Sequence, residues 1–145
     1  MFDQLFCRSD ALTRQLSAPL VEERRQYLAL CAAQGMSKCT LEVKARLLLS
    51  IAEYLRLADR PNDRISLPEI EKAAGRWSSH NWRSPESSHA KRSREYFIAQ
   101  AAKWLITEEF KHPKLVRVSI VFQHLPNLNQ DRDYPMFPLG LVVED

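Results

Sequence analysis

Glycine is scarce in this chain. Its 145 residues hold only Gly35, Gly75 and Gly140. A phosphate cradle needs glycines close together so that backbone N–H groups can wrap an anion, so a glycine-rich nucleotide loop is excluded. Cysteine is scarce and odd in number: Cys7, Cys31 and Cys39 match no disulfide framework and no zinc spacing. They read as reduced thiols of a cytoplasmic protein, with Cys31 in the core and Cys39 at a helix start. The histidines, His80, His89, His112 and His124, show no metal-ligand spacing either. No Ser/His/Asp constellation stands out. The expectation is therefore no metal, no cofactor and no catalytic residue. Long apolar runs are also missing. The first residues, MFDQLFCRSDALTRQL, carry acids early and form no secretory signal, and nothing nears the roughly twenty apolar residues of a membrane-spanning helix.

What is present is helical patterning. The N-terminal residues 1–18 are amphiphilic and short, and Leu5, Phe6, Leu12 and Leu16 suit a loose helix or an arm packed elsewhere. A helix follows from about residue 20 to residue 34, with Val21, Tyr27, Leu28 and Cys31 as its apolar stripe. Glu22 and Glu23 complement its positive end, and Gly35 stops it. The next helix is capped by Ser37 or Thr40. Leu41, Ala45, Leu48, Ala52 and Leu55 fall on one side of it, and Leu47, Leu49 and Ile51 widen the apolar arc. So broad an arc needs more than one neighbour, which places this helix at the centre. Glu42 with Arg46, and Glu53 with Arg56, are spaced for surface ion pairs.

The stretch ADRPNDR, from Ala58, is a turn by composition. Ser66 and Glu69 then form a capping box, Pro68 sits in the first turn, and Ile65 is placed to pack against Ile70. The helix they open runs to about Trp77. Within it Gly75 is the weak point: either it marks a close helix approach or it carries no meaning. Residues 78–87 read as a polar loop containing Trp82, either a buried loop anchor or an exposed contact. A last helix runs from Pro85 or Ser87 to about Glu109, with Ala90, Phe97, Ala101, Trp104 and Leu105 inward. Trp77, Phe97 and Trp104 read as core. Beyond Pro113 the pattern changes: Val116, Val118, Ile120 and Phe122 alternate as one strand face, then turn-forming residues and a short apolar run follow. Residues 113–145 read as a tail of uncertain order, after an arm (1–18) and a helical domain (19–112).

The segment SAPLVEERRQYLALCAAQGMSKCTLEVKARLLLSIAEYLRL resembles the N-terminal, core-binding domain of tyrosine recombinases, the phage-integrase-like site-specific DNA recombinases. The resemblance rests on a helix ending at Gly35, then Ser37 and Thr40, then the long helix of residues 41–57. It continues in Ile65, Ser66 and Glu69 opening the next helix, and in a fourth helix over residues 87–107. It spans about residues 18–110 through soft motifs. It implies an all-α fold: a four-helix SAM-like orthogonal bundle, here with a partly irregular C-terminal tail. It also implies double-stranded DNA as partner, gripped on one side of a clamp whose other half is a catalytic domain bearing arginines, a His-x-x-Arg element and a tyrosine nucleophile. That domain does not follow here. His80 and Arg83 reproduce the spacing and Tyr96 lies downstream, but inside the helical domain. No strand-transfer activity is expected.

Formal charge is +3, with an isoelectric point near 8.9. The excess is local: residues 80–117 hold eight Lys or Arg against four acids, and residues 118–145 hold one Arg against four. Helix starts that present cations are suited to phosphates, because side-chain charge adds to backbone N–H donors. Two such places stand out. Lys38 and Thr40 open the long helix, with Lys44 one turn on. Arg83, Lys91, Arg92 and Arg94 gather near the start of the last helix, where Ser87 and Ser88 offer hydroxyl donors. These are the expected DNA contacts. The competing use of the same residues is a solvated helix face. The alternative function is a helical protein-interaction or oligomerisation module that docks a partner or a second copy through the apolar tail, with Phe137, Leu139 and Leu141, and the broad stripe of the long helix.

Overall fold

A computed structural model describes residues 1–60 and 65–111, with side chains up to residue 107. The expected strand over residues 116–122 and the tail residues Phe137, Leu139 and Leu141 lie outside the described residues. The described chain is all helical: α1 (Phe2–Leu5), α2 (Ser9–Ser17), α3 (Val21–Ala33), α4 (Lys38–Tyr54), a 3-10 turn (Leu57–Asp59), α5 (Leu67–Asn81) and α6 (Ser88–Lys111).

The central place expected for α4 is realised. Leu48 and Ile51 are wholly buried, and Leu41, Ala45, Leu47, Leu49 and Ala52 are buried with them. Helices α1, α3, α5 and α6 all pack against it. The extra neighbour is the N-terminus. Phe2, Leu5 and Phe6 are buried in the same core as Trp104 and Leu105. A cation covers each phenylalanine: Arg24 lies 5.4 Å from the Phe2 ring centre and Arg46 lies 5.8 Å from that of Phe6.

Local chemistry sets most helix ends. Gly35, at φ +85°, lets Met36 N–H reach the Cys31 carbonyl and Gly35 N–H reach that of Ala32, closing α3 in a Schellman turn. Ser37 is the cap of α4: its hydroxyl accepts from Thr40 N–H at 3.3 Å. Thr40 is thus a first-turn residue whose hydroxyl pairs with that of Ser37 at 2.8 Å. The Ser66–Glu69 capping box forms, and Ile65 and Ile70 are both buried beside it.

Three sequence expectations give way. Helix α5 runs one turn past Trp77. Ser79 and Asn81 donate from their side chains to the carbonyls of Gly75 and Trp77, so polar residues that read as loop stay helical. Gly75 does not mark a close approach, because a methyl group there would meet nothing within 4 Å. Arg46 pairs with Glu42 as its spacing suggests, but Arg56 adopts a left-handed conformation at the end of α4, and Glu53 instead lies 3.9 Å from Arg14 of α2.

Helices α5 and α6 form an antiparallel hairpin. Trp77 and Phe97 meet with ring centres 5.2 Å apart, and Ser78 is buried against Ala90. This hairpin presents its connecting corner, residues 82–87, to solvent. No described helix is long and apolar enough to cross a membrane.

Candidate nucleic-acid interface

Six of the seven cations and hydroxyls expected to contact DNA fall at two places, and one does not. Lys44 is buried, 5 % exposed. Its ammonium donates to Gln100 Oε1 at 2.5 Å and lies 6.0 Å from the centre of the Tyr27 ring. It ties α4 to α6 inside the bundle and offers no charge to a ligand outside. Helical position explains this. Lys44 precedes Ala45 and sits three residues after Leu41, on the inward arc and not beside Lys38.

Lys38 is exposed as the first residue of α4, and Thr40 is half-buried within the Ser37 cap. At the α5–α6 corner, Arg83, Lys91 and Arg92 are exposed. Ser87 caps α6, its hydroxyl oxygen accepting from Ala90 N–H at 3.2 Å. Ser88 is exposed. Arg94 is half-buried and folds back over the first turn, donating from Nη1 to the Pro85 carbonyl at 2.9 Å. Arg94 therefore braces the loop that carries Arg83. No hydrogen bond or ion pair among the described residues joins the α4 set to the α6 set.

The charge at the helix starts is uneven. α1, α2, α3 and α5 each place an acid in the first turn: Asp3, Asp10, Glu22 with Glu23, and Glu69. α4 and α6 place none. The partial positive charge of a helix start is thus offset at four ends and left standing at two, where Lys38, Lys91 and Arg92 add to it. Glu86, exposed just before the Ser87 cap, is the nearest acid in sequence to the α6 start. Glu95 lies within pairing distance along the helix of both Lys91 and Arg92. Yet among the described residues no ion pair forms there, whereas Arg25 pairs with Glu22 and Arg46 with Glu42 elsewhere.

Trp82 lies at the end of α5, half-buried, with its ring stacked on His89 of α6 at 6.1 Å between centres and 15° between planes. It is both an anchor and part of the surface. Its indole Nε1 is buried and has no hydrogen-bond partner among the described residues.

Sequence reasoning missed Arg24. This residue is wholly buried, and the hydrogen-bond acceptors it meets among the described residues are neutral. Nε donates to the Pro19 carbonyl, Nη1 to Gln15 Oε1, and Nη2 to the carbonyls of Gln15 and Ala18. It gathers the unpaired carbonyls at the end of α2 and in the turn to α3, where a cation is favoured. Burial pulls its pKa below the ordinary arginine value, and the charges of Glu53 and Glu23 oppose that pull. Burial likewise pushes the Tyr27 phenol up from its ordinary value, with Cys31 adding to the effect. The signal that could find Arg24 is its position: it stands three and four residues before Tyr27 and Leu28, on their face of α3.

Among the described residues, no group of three or more His, Cys, Asp or Glu is placed to hold a metal ion. His80 and Arg83 are both exposed, and Tyr96 is half-buried on α6. No protein-family model, no curated protein and no solved structure matches this chain.

Proposed function

We propose that this helical domain binds double-stranded DNA through its phosphates, in the manner of the core-binding domain of a tyrosine recombinase, and carries no strand-transfer activity itself. The observation that supports the reading is the α6 start: Arg83, Lys91 and Arg92 are exposed there, without ion pairs among the described residues, on a helix with no first-turn acid. Leaving Glu95 unpaired beside Lys91 and Arg92 costs a solvated helix face under about 1 kcal/mol and brings it no gain. A phosphate backbone does gain, because each neutralised phosphate releases condensed counterions. Lys38 and the hydroxyl of Thr40 belong to a second, smaller contact at the α4 start. Arg94 supports the first contact by holding the Pro85 carbonyl, and Lys44 takes no part.

The test is a mobility-shift series on duplex DNA at several salt concentrations, with Arg83, Lys91 and Arg92 together replaced by Glu. Arg94 is left in place so that the corner stays braced. Affinity should fall, and the slope of log K against log salt should shrink by about 0.9 for each phosphate no longer neutralised. Unchanged affinity and slope would remove this surface from consideration. On nicked suicide substrates no covalent protein–DNA adduct should accumulate.

A further inference from the structure

The corner that carries Arg83 also carries a ring stack, and phosphate binding does not require one. Trp82 is half-buried, and its plane lies within 15° of that of His89. The imidazole is exposed. His89 is the second residue of α6, followed by Ala90 and then by Lys91 and Arg92, and Arg83 adjoins Trp82 on the loop side. A backed, exposed aromatic ring with Arg83 next to Trp82 in the chain and Arg92 one helical turn from His89 matches the chemistry of a nucleotide, which has a flat face and an anionic link. Anchoring the loop needs the indole against the protein; it does not need an imidazole laid parallel outside it.

We propose that the Trp82–His89 stack is a platform for one unpaired nucleobase, with Arg83 and Arg92, the latter one turn from His89 on the same side of α6, holding the flanking phosphates. The proposal rests on the DNA-binding reading above and narrows it. In a continuous duplex, neighbouring pairs cover both faces of every base, so the platform stays idle. At a gap, a single-stranded end or an unpaired nucleotide a face is free, and stacking adds to the phosphate contacts. The domain then prefers duplex with an unpaired nucleotide to continuous duplex of the same length and charge.

The experiment compares three DNAs at one salt concentration: a continuous duplex, the same duplex with one unpaired 2-aminopurine, and a duplex with an abasic site at that position. The full chain is tested beside His89→Ala, a change at an exposed residue, and beside Arg83→Glu. The expected result is about tenfold tighter binding to the 2-aminopurine duplex than to the continuous one, with quenching of the probe on binding. His89→Ala should erase that preference and leave continuous-duplex affinity and salt slope unchanged. Arg83→Glu should weaken all three DNAs. Equal affinity for the three DNAs, or a preference that survives His89→Ala, overturns the platform while leaving the phosphate surface intact. Binding to none of them overturns both.

Discussion

Arg24 of α3 holds Gln15 of α2 at two points, donating to the side-chain oxygen at 2.6 Å and to the backbone carbonyl at 2.7 Å. With Pro19 and Ala18 it makes four bonds to neutral oxygens around one buried guanidinium. Replacing it by Met keeps much of the bulk and strands those acceptors. Arg24→Met should lower stability by about 3 kcal/mol, read from urea unfolding midpoints. A loss under about 1 kcal/mol would mean that water serves the carbonyls equally well.

The two lysines of α4 should answer to opposite tests. Lys38 opens the helix, where a cation opposes the helix dipole, so Lys38→Glu should stabilise the fold by roughly half a kcal/mol while weakening duplex DNA binding. Lys44→Glu buries an acid against the Gln100 oxygen and should unfold the chain or cost it several kcal/mol. Thermal melts and gel shifts on the same samples separate the two. If Lys44→Glu melts like the parent chain, the burial of Lys44 is wrong.

Gly75 offers a gain. It lies within α5, with open space where a Cβ would stand. Gly75→Ala should stabilise by about 0.5–1 kcal/mol by restricting the unfolded chain and favouring the helix. Destabilisation would show that something fills that space.

Acid should weaken the α5 start. The backbone N–H of Ser66, then the Arg60 guanidinium and the Ser66 hydroxyl, hold the Glu69 carboxyl down at about 2 from an ordinary 4.5. A carboxyl depressed in the folded state adds stability above its unfolded pKa, and that share is lost as pH falls from about 4.5 towards about 2. Much of this charge is solvent-exposed, so the effect is modest. Glu69→Gln keeps an acceptor for Ser66 N–H but has no proton to gain. Its stability should fall less steeply across that window, measured by urea midpoints at stepped pH. Parallel curves for both proteins would assign the acid loss elsewhere.

How far the sequence reveals this molecule depends on how far apart the interacting residues stand. The Ser66–Glu69 box, the Gly35 stop and the inward face of α4 are readable because their partners lie within a few positions. The start of α4 is ambiguous in the letters because Ser37 and Thr40 both suit a cap, and only coordinates show Ser37 accepting the bond. Lys44 and Arg24 mislead for a common reason: charge in a sequence suggests the outside. Their acceptors, Gln100 and Gln15, lie on other helices, 56 and nine positions away. The α5 extension escapes sequence reading because Ser79 and Asn81 look like loop-formers unless their own hydrogen bonds are known. At the candidate interface, the presence of cations is plain in the letters. That Arg94 is a brace, and that Arg83, Lys91 and Arg92 form no ion pair among the described residues, is not.

Phe2 and Leu5 share a hydrophobic centre with Trp104 and Leu105, so the first described turn waits for the last described helix before its interior closes. During synthesis the wide apolar arc of α4 leaves the ribosome well ahead of α6, which is to cover part of it. The exposure is temporary but unavoidable in this topology. A pause placed between α4 and α6 would lengthen it, and chaperone capture at that stage is where the cost of a late-closing core should show.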